Sequence, residues 1–274
     1  MTKKFFLILL IPLFLLSACS KDYINDSEGQ IPLPHSSAIL ADGTYYATYG
    51  YANNEGYRPE MTIVVNEGLI SSIKYLEISN NGKDKISDVE YYENFKEKHN
   101  IDIQGIYLRL YTNLIKNQNT SNLPSTGDFP DIRSYFKQLA DVIILKAKKG
   151  ITEPSVVAMD EVYYGDTNTD DNGYKGSISI TYVNDVIIDV EYSELNLDGD
   201  HKEDVDDLNE IYQEHYGISL GEMFDSYARQ IVQNGTLQPV DSMSGATRTQ
   251  EKVNELLEII SNTRIKYEGE EADD

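Results

Sequence analysis

The sequence predicts an α+β fold made of two tandem domains of similar plan. Three observations point to it: a long internal repeat, an antiparallel hairpin near the start of each copy, and an amphipathic helix at the end of each. The repeat has a period of about 117 residues, far longer than a solenoid unit. Asp42-Gly43-Thr44-Tyr45-Tyr46 matches Asp160-Glu161-Val162-Tyr163-Tyr164, and Glu55-Gly56-Tyr57 matches Asn172-Gly173-Tyr174.

The elements follow in the same order in each copy. Met61 to Val65 and Ile178 to Val183 have the composition of strands. Each is followed by a turn, Asn66-Glu67-Gly68 or Asn184-Asp185, and by a second strand, Leu69 to Tyr75 or Val186 to Tyr192. Glu93 to His99 corresponds to Asn209 to His215 as a first helix, and second helices are expected around Tyr107 to Ile115 and Leu220 to Val232. The last helices carry the clearest period. Ile132, Tyr135, Phe136, Leu139, Val142 and Ile143 share one face, as do Val253, Leu256, Leu257 and Ile260. These elements divide the chain into an N-terminal signal (1–18), a tether (19–38), a first domain (39–150), a second domain (151–267) and an acidic tail (268–274). The join falls near Gly150 to Pro154.

The N-terminus assigns a compartment. Lys3 and Lys4 precede an apolar run, Phe5 to Leu16, that is shorter than a membrane-spanning helix requires. Leu16-Ser17-Ala18-Cys19 then has the form of a lipoprotein cleavage site. Cys19, the only cysteine in the chain, has no partner for an internal disulfide and is the expected site of lipidation. An ordinary secretory signal with an incidental cysteine is the competing reading. Either way the chain is exported, and the lipid reading places it on the extracellular side of the cell membrane, held by a lipid anchor. Ser20 to about Ser37 is polar, contains Pro32 and Pro34, and suits a tether. The net charge of −23 argues against nucleic acid and anionic lipid surfaces as partners. The 21 tyrosines and absence of tryptophan suit strand-rich domains but name no ligand.

The copies part company before the last helix. The second reads Asp241-Ser242-Met243-Ser244-Gly245-Ala246-Thr247, where the first has Leu123-Pro124-Ser125-Thr126-Gly127-Asp128-Phe129. Asp241-x-x-Ser244-Gly245-Ala246-Thr247 resembles the flavinylation motif of the FMN-binding domain family. That family includes covalently flavinylated surface lipoproteins and the FMN-carrying subunits of sodium-pumping quinone reductases. The likeness extends to Asn172-Gly173-Tyr174-Lys175-Gly176, Glu194 to Gly199 and Gly217-Ile218, and more faintly to the first copy. It implies FMN as cofactor, joined through a phosphoester to Thr247 by a separate flavin transferase. It also implies an electron-transfer protein rather than a stand-alone enzyme. A membrane dehydrogenase or quinol pool would be the donor, and an extracellular acceptor would complete the path.

The residues support the same reading. Thr247 supplies a hydroxyl, the small Gly245 and Ala246 admit a bulky donor, and the helix that follows aims free N–H groups at a phosphate. Asp241 has two open roles, bracing the turn or helping to place a metal–phosphate donor. Tyr174 is the candidate for contact with the flavin ring. Phe129, at the position of Thr247 in this alignment, has no hydroxyl, so the first copy is expected to be unmodified. Thr247 with Gln250 also fits a plain capping box.

Other signals are weaker. His99 and His215 lack ligand spacing, and Asn168 to Ser179 resembles a calcium loop without its closing glutamate, so no metal is expected. No catalytic constellation is legible in the spacing of residues. A non-redox ligand-binding or scaffolding lipoprotein is the alternative function.

Overall fold

The computed structural model describes residues 39–268. The signal, the whole tether from Cys19 to residue 38 and residues 269–274 of the tail lie outside the described residues. The fold is α+β, with two sheets packed against helices. Among the described residues no helix is long and apolar enough to cross a membrane.

The first sheet contains β1 (Gly43–Tyr49), β2 (Tyr57–Asn66) and β3 (Leu69–Ser79), followed by α1 (Val89–His99), α2 (Ile103–Asn117) and α3 (Pro130–Ala147). After β4 (Ser155–Val157), the second sheet contains β5 (Glu161–Asp166), β6 (Lys175–Val183) and β7 (Val186–Leu195). It is followed by α4 (Asp206–Tyr216), α5 (Leu220–Asn234) and α6 (Thr247–Thr263). The strand orders are β3-β2-β1-β4 and β5-β6-β7.

The two hairpins correspond in detail. Glu67-Gly68 joins β2 to β3 and Asn184-Asp185 joins β6 to β7, and all four residues have positive φ. That is the two-residue turn whose twist matches that of paired strands. Each hairpin carries one irregularity, between Val64 and Val65 and between Thr181 and Tyr182. Burial alternates along both central strands, through Pro59, Met61, Ile63 and Val65 in β2 and Gly176, Ile178, Ile180 and Tyr182 in β6. Period-two alternation directs one face of each sheet onto its helices. The first core gathers Met61 and Ile63 with Leu110, Phe136 and Leu139. The second gathers Ile178 and Ile180 with Phe224, Tyr227, Val253 and Leu256.

The expected join differs from the observed one. Ser155 to Val157 forms β4, which pairs in parallel with Ala47 to Tyr49 of β1, so the first sheet continues beyond residue 150. Further along this edge, Tyr51 bridges to Lys266 and the Tyr267 N–H donates to the Gly50 carbonyl at 2.9 Å. The outer edge of β1 would otherwise carry unpaired backbone groups, and the flanking segments satisfy them. Each half also opens with a strand ahead of its hairpin, β1 or β5, making a three-strand meander.

Arg264, just past α6, binds across the halves. Its guanidinium lies 3.4 Å from the Tyr51 ring centroid and 4.0 Å from that of Tyr182, and it pairs with Asp185 at 3.1 Å. Its buried Nε has no hydrogen-bond partner, so the two ring faces supply much of its solvation. Arg264→Ala should therefore lower stability by about 2 kcal/mol, read as a reduced urea midpoint. An unchanged midpoint would show that this cation does not hold the halves.

Candidate functional site

The motif lies in the loop between α5 and α6. Asp241 is exposed, and its N–H donates to Gln230 Oε1 at 2.9 Å. Met243 to Ala246 forms a turn closed by the Ala246 N–H donating to the Met243 carbonyl at 3.1 Å, with Gly245 at φ +78° in its third position. A type II turn requires positive φ there, which explains the glycine. Ala246 is buried and is the N-cap of α6, yet it offers no side-chain cap. Thr247 is the first helical residue and its side chain is exposed.

The capping box does not form. Thr247 lies one position too late, and the Gln250 side chain instead donates to the Val240 carbonyl at 2.9 Å. The N–H groups of the first turn are thus left without a side-chain acceptor, the arrangement that suits an anion. Arg248 follows, exposed, and makes no ion pair among the described residues. These features fit a phosphoester on Thr247.

One detail departs from expectation. The equivalent of Thr247 is Pro130 rather than Phe129: α3 begins at Pro130 and α6 at Thr247, and all six buried positions of α6 then coincide with buried positions of α3. Leu139, Ala140 and Ile143 stand where Leu256, Leu257 and Ile260 stand. The slip arises because the preceding turns differ. In the first half positive φ falls on Gly127, the second turn position, rather than the third. Proline has no hydroxyl either, so this position still lacks an acceptor. The aromatic ring packed beside the motif turn is that of Tyr216 of α4. A Cβ added to Gly245 would lie 2.3 Å from that ring. Tyr212 neighbours Tyr216, with centroids 5.4 Å apart.

Tyr174 is half-buried just before β6. Its N–H donates to Asp170 Oδ1 at 3.0 Å, its carbonyl accepts from Lys252 Nζ at 3.2 Å, and its ring lies 5.3 Å from Lys202 Nζ. Asp170 also accepts from the Asn172 N–H, so the stretch resembling a calcium loop is braced by its own aspartate. Among the described residues no group of His, Cys, Asp and Glu has metal-ligating geometry. His215 is exposed, and His99 packs its ring against Phe95 and Phe129.

Sequence reasoning missed what anchors this region. Glu194, at the end of β7, is fully buried. It accepts from Lys202 at 2.6 Å, Lys252 at 2.9 Å, Thr249 at 2.9 Å and Tyr192 at 3.1 Å. Burial pushes its carboxyl up, but the hydrogen bonds and charges of Lys202 and Lys252 outweigh that and leave it below the usual range. Thr249 and Lys252 lie on the first turns of α6, so one carboxylate fixes the segment that presents Thr247. Glu77 has the same place in the first half and accepts from Lys85 at 2.8 Å and Tyr75 at 3.0 Å. There Tyr107 of α2 makes a further bond at 2.7 Å. The matching residue in the second half, Phe224, has no hydroxyl, and Thr249 takes over. The repeated signal was available in Tyr75-x-Glu77 with Lys85 and Tyr192-x-Glu194 with Lys202.

A cavity among the described residues lies elsewhere, between the first half and the β5–β6 edge. No family model and no curated protein matches this chain. A crystal structure of a Clostridium perfringens protein is similar at 26% identity, covering 44% of this chain and all of its own, with a TM-score of 0.42. A solution NMR structure of a Clostridium thermocellum protein is similar at 19% identity, covering 41% of this chain and 93% of its own, with a TM-score of 0.26. Those scores are too low to establish a shared fold.

Two predictions follow from this geometry. Glu194→Gln takes the carboxylate from Lys202, while Lys252 keeps its pair with Asp170 at 2.8 Å, and should cost about 3 kcal/mol in urea unfolding. The parent's contribution from this carboxylate is present above the unfolded pKa and lost as pH falls through the lowered folded value, so the variant should also lose part of the acid limb of stability. Equal unfolding curves for both proteins would contradict the anchoring role.

Gly245→Ala should destabilise by about 1–3 kcal/mol, because Tyr216 must swing away and alanine must adopt positive φ. Adding Tyr216→Ala should restore the steric part and leave only the backbone strain. Strict additivity of the two changes would show that the ring does not press on the glycine.

Proposed function

We propose that this chain is a membrane-anchored extracellular flavoprotein that carries one FMN as a phosphoester on Thr247 and passes electrons outside the cell membrane. The observation that supports it most is the exposed hydroxyl at the first position of an uncapped helix, at the end of Asp241-x-x-Ser244-Gly245-Ala246-Thr247. FMN, when bound, supplies electron transfer through its ring system.

The chain's own residues hold and orient. Thr247 provides the ester oxygen, and the first-turn N–H groups and Arg248 favour the phosphate. Gly245 and the turn it closes keep the hydroxyl open to a flavin transferase. Tyr216 and Tyr212 offer aromatic surface beside the turn, and Glu194 fixes the helix start through Thr249 and Lys252. The lipid anchor at Cys19 and the tether would hold this site near a membrane dehydrogenase or quinol donor, facing an extracellular acceptor. A covalent link prevents loss of the cofactor by diffusion.

The test is coexpression with a flavin transferase, followed by flavin fluorescence in a denaturing gel and peptide mapping. The parent should carry one flavin, on the peptide containing Thr247. Thr247→Ala should carry none and unfold within about 1 kcal/mol of the parent, since Thr247 makes no cap bond, whereas Thr247→Ser keeps an acceptor. Flavin on another peptide, or retained by Thr247→Ala, would overturn the assignment.

A further inference from the structure

A cavity of about 660 Å³ lies where the β1–β2 loop and the start of α3 face β5 and β6. Its size is that of a small-molecule site. Tyr91, Phe95, Phe129, Tyr135, Tyr164 and Tyr182 give it aromatic walls.

The charge within it is one-sided. Glu55 and Glu77 share Lys85, the one Lys or Arg lining it among the described residues, while Arg264 already stacks on the Tyr182 ring and Lys85 lies over that of Tyr91. Asp128, Asp131, Asp160 and Glu161 also line it and have no cationic partner among the described residues. Glu161 is half-buried and accepts a hydrogen bond from Tyr135.

Comparison with the second half sharpens the point. With α3 and α6 aligned on their buried faces, Asp131 stands where Arg248 stands, and Asp128 where Gly245 stands. Glu55 likewise matches Asn172 in the corresponding loop, since Asn53 and Asp170 brace both loops through the same pair of bonds. The region that suits a phosphate in one half is built with the opposite charge in the other.

We propose that this cavity binds an organic cation, an ammonium group carried on an apolar or aromatic body. The uncompensated carboxylates attract the charge, and the rings with no resident cation, Phe95, Phe129, Tyr135 and Tyr164, take both the ammonium and its apolar substituents. Separate carboxylates around a wide volume suit a bulky ammonium better than a metal ion, which needs converging ligands. This site is independent of the flavin on Thr247.

Glu161 provides a readout. Burial is the main cause that pushes its carboxyl up to about 7, and the charges of Asp131 and Glu55 act in the same direction, against the hydrogen bond from Tyr135 and a backbone N–H. The groups facing it are therefore Tyr135 and Asp131 from α3 and Glu55 from the β1–β2 loop. A bound cation favours the ionised form, so affinity must rise as pH rises through this range.

Isothermal titration of the mature chain with benzyltrimethylammonium, in about 0.15 M salt to screen surface attraction, tests the proposal. One ion should bind per chain, about five- to tenfold more tightly at pH 8.5 than at pH 5.5. Asp131→Asn should weaken binding at pH 8.5 by about fivefold, and Glu161→Gln should flatten the pH dependence. Circular dichroism should show both variants folded. Absence of binding at millimolar concentration, equal binding of benzoate, or affinity unchanged in both variants would each overturn the proposal.

Discussion

Burying a carboxylate at the end of a strand costs several kcal/mol unless its oxygens are fully partnered, and the second half is organised around that requirement. Glu194 collects partners from β7, from the short turn beginning at Lys202, and from α6. The placement of α6 satisfies it by bringing Thr249 and Lys252 to the same carboxylate. The start of that helix, and so the position of Thr247, follows from the demand. Glu77 imposes a similar demand on the first half but meets it through Tyr107 on α2, which leaves the start of α3 free of it.

That difference explains how two copies of one plan come to present different surfaces. Hairpin turns, strand irregularities, aspartate- or asparagine-braced loops and tyrosine–lysine contacts recur at matching places. The turn before the last helix does not. In the second half it is closed by Gly245 under Tyr216 and leads to a hydroxyl. In the first half it is closed at Gly127 and leads to Pro130, with acidic residues where the other half has Gly245 and Arg248. An acid-lined first half beside a second half with an exposed, uncapped helix start gives the chain two chemically distinct surfaces.

Much of this plan was legible in the sequence, because alternation in Met61 to Val65 and the helical stripes of Val253 to Ile260 follow directly from which face meets the core. The extra strand β4 was not. Ser155 to Val157 has no amphipathic pattern, and its pairing depends on an edge of β1 that only the assembled sheet offers. The alignment of Thr247 with Phe129 failed for a related reason. Matching glycines hid a change of turn type that moves the helix start by one residue. The buried lysines escaped notice because charged residues are ordinarily read as solvated. Lys85 and Lys252 are buried only because Glu77 and Glu194 wait at strand ends distant in sequence. The place of the motif, just before the last helix, was readable, since the stripe of Val253 to Ile260 marks where that helix lies.

The central claim, one flavin esterified to Thr247 on a lipid-anchored chain, is tested most directly by the intact mass of the mature protein recovered from its native host. The account predicts a chain beginning at Cys19 that carries one lipid modification and one FMN, joined with loss of one water. A mass with no flavin increment, or with two, would contradict it.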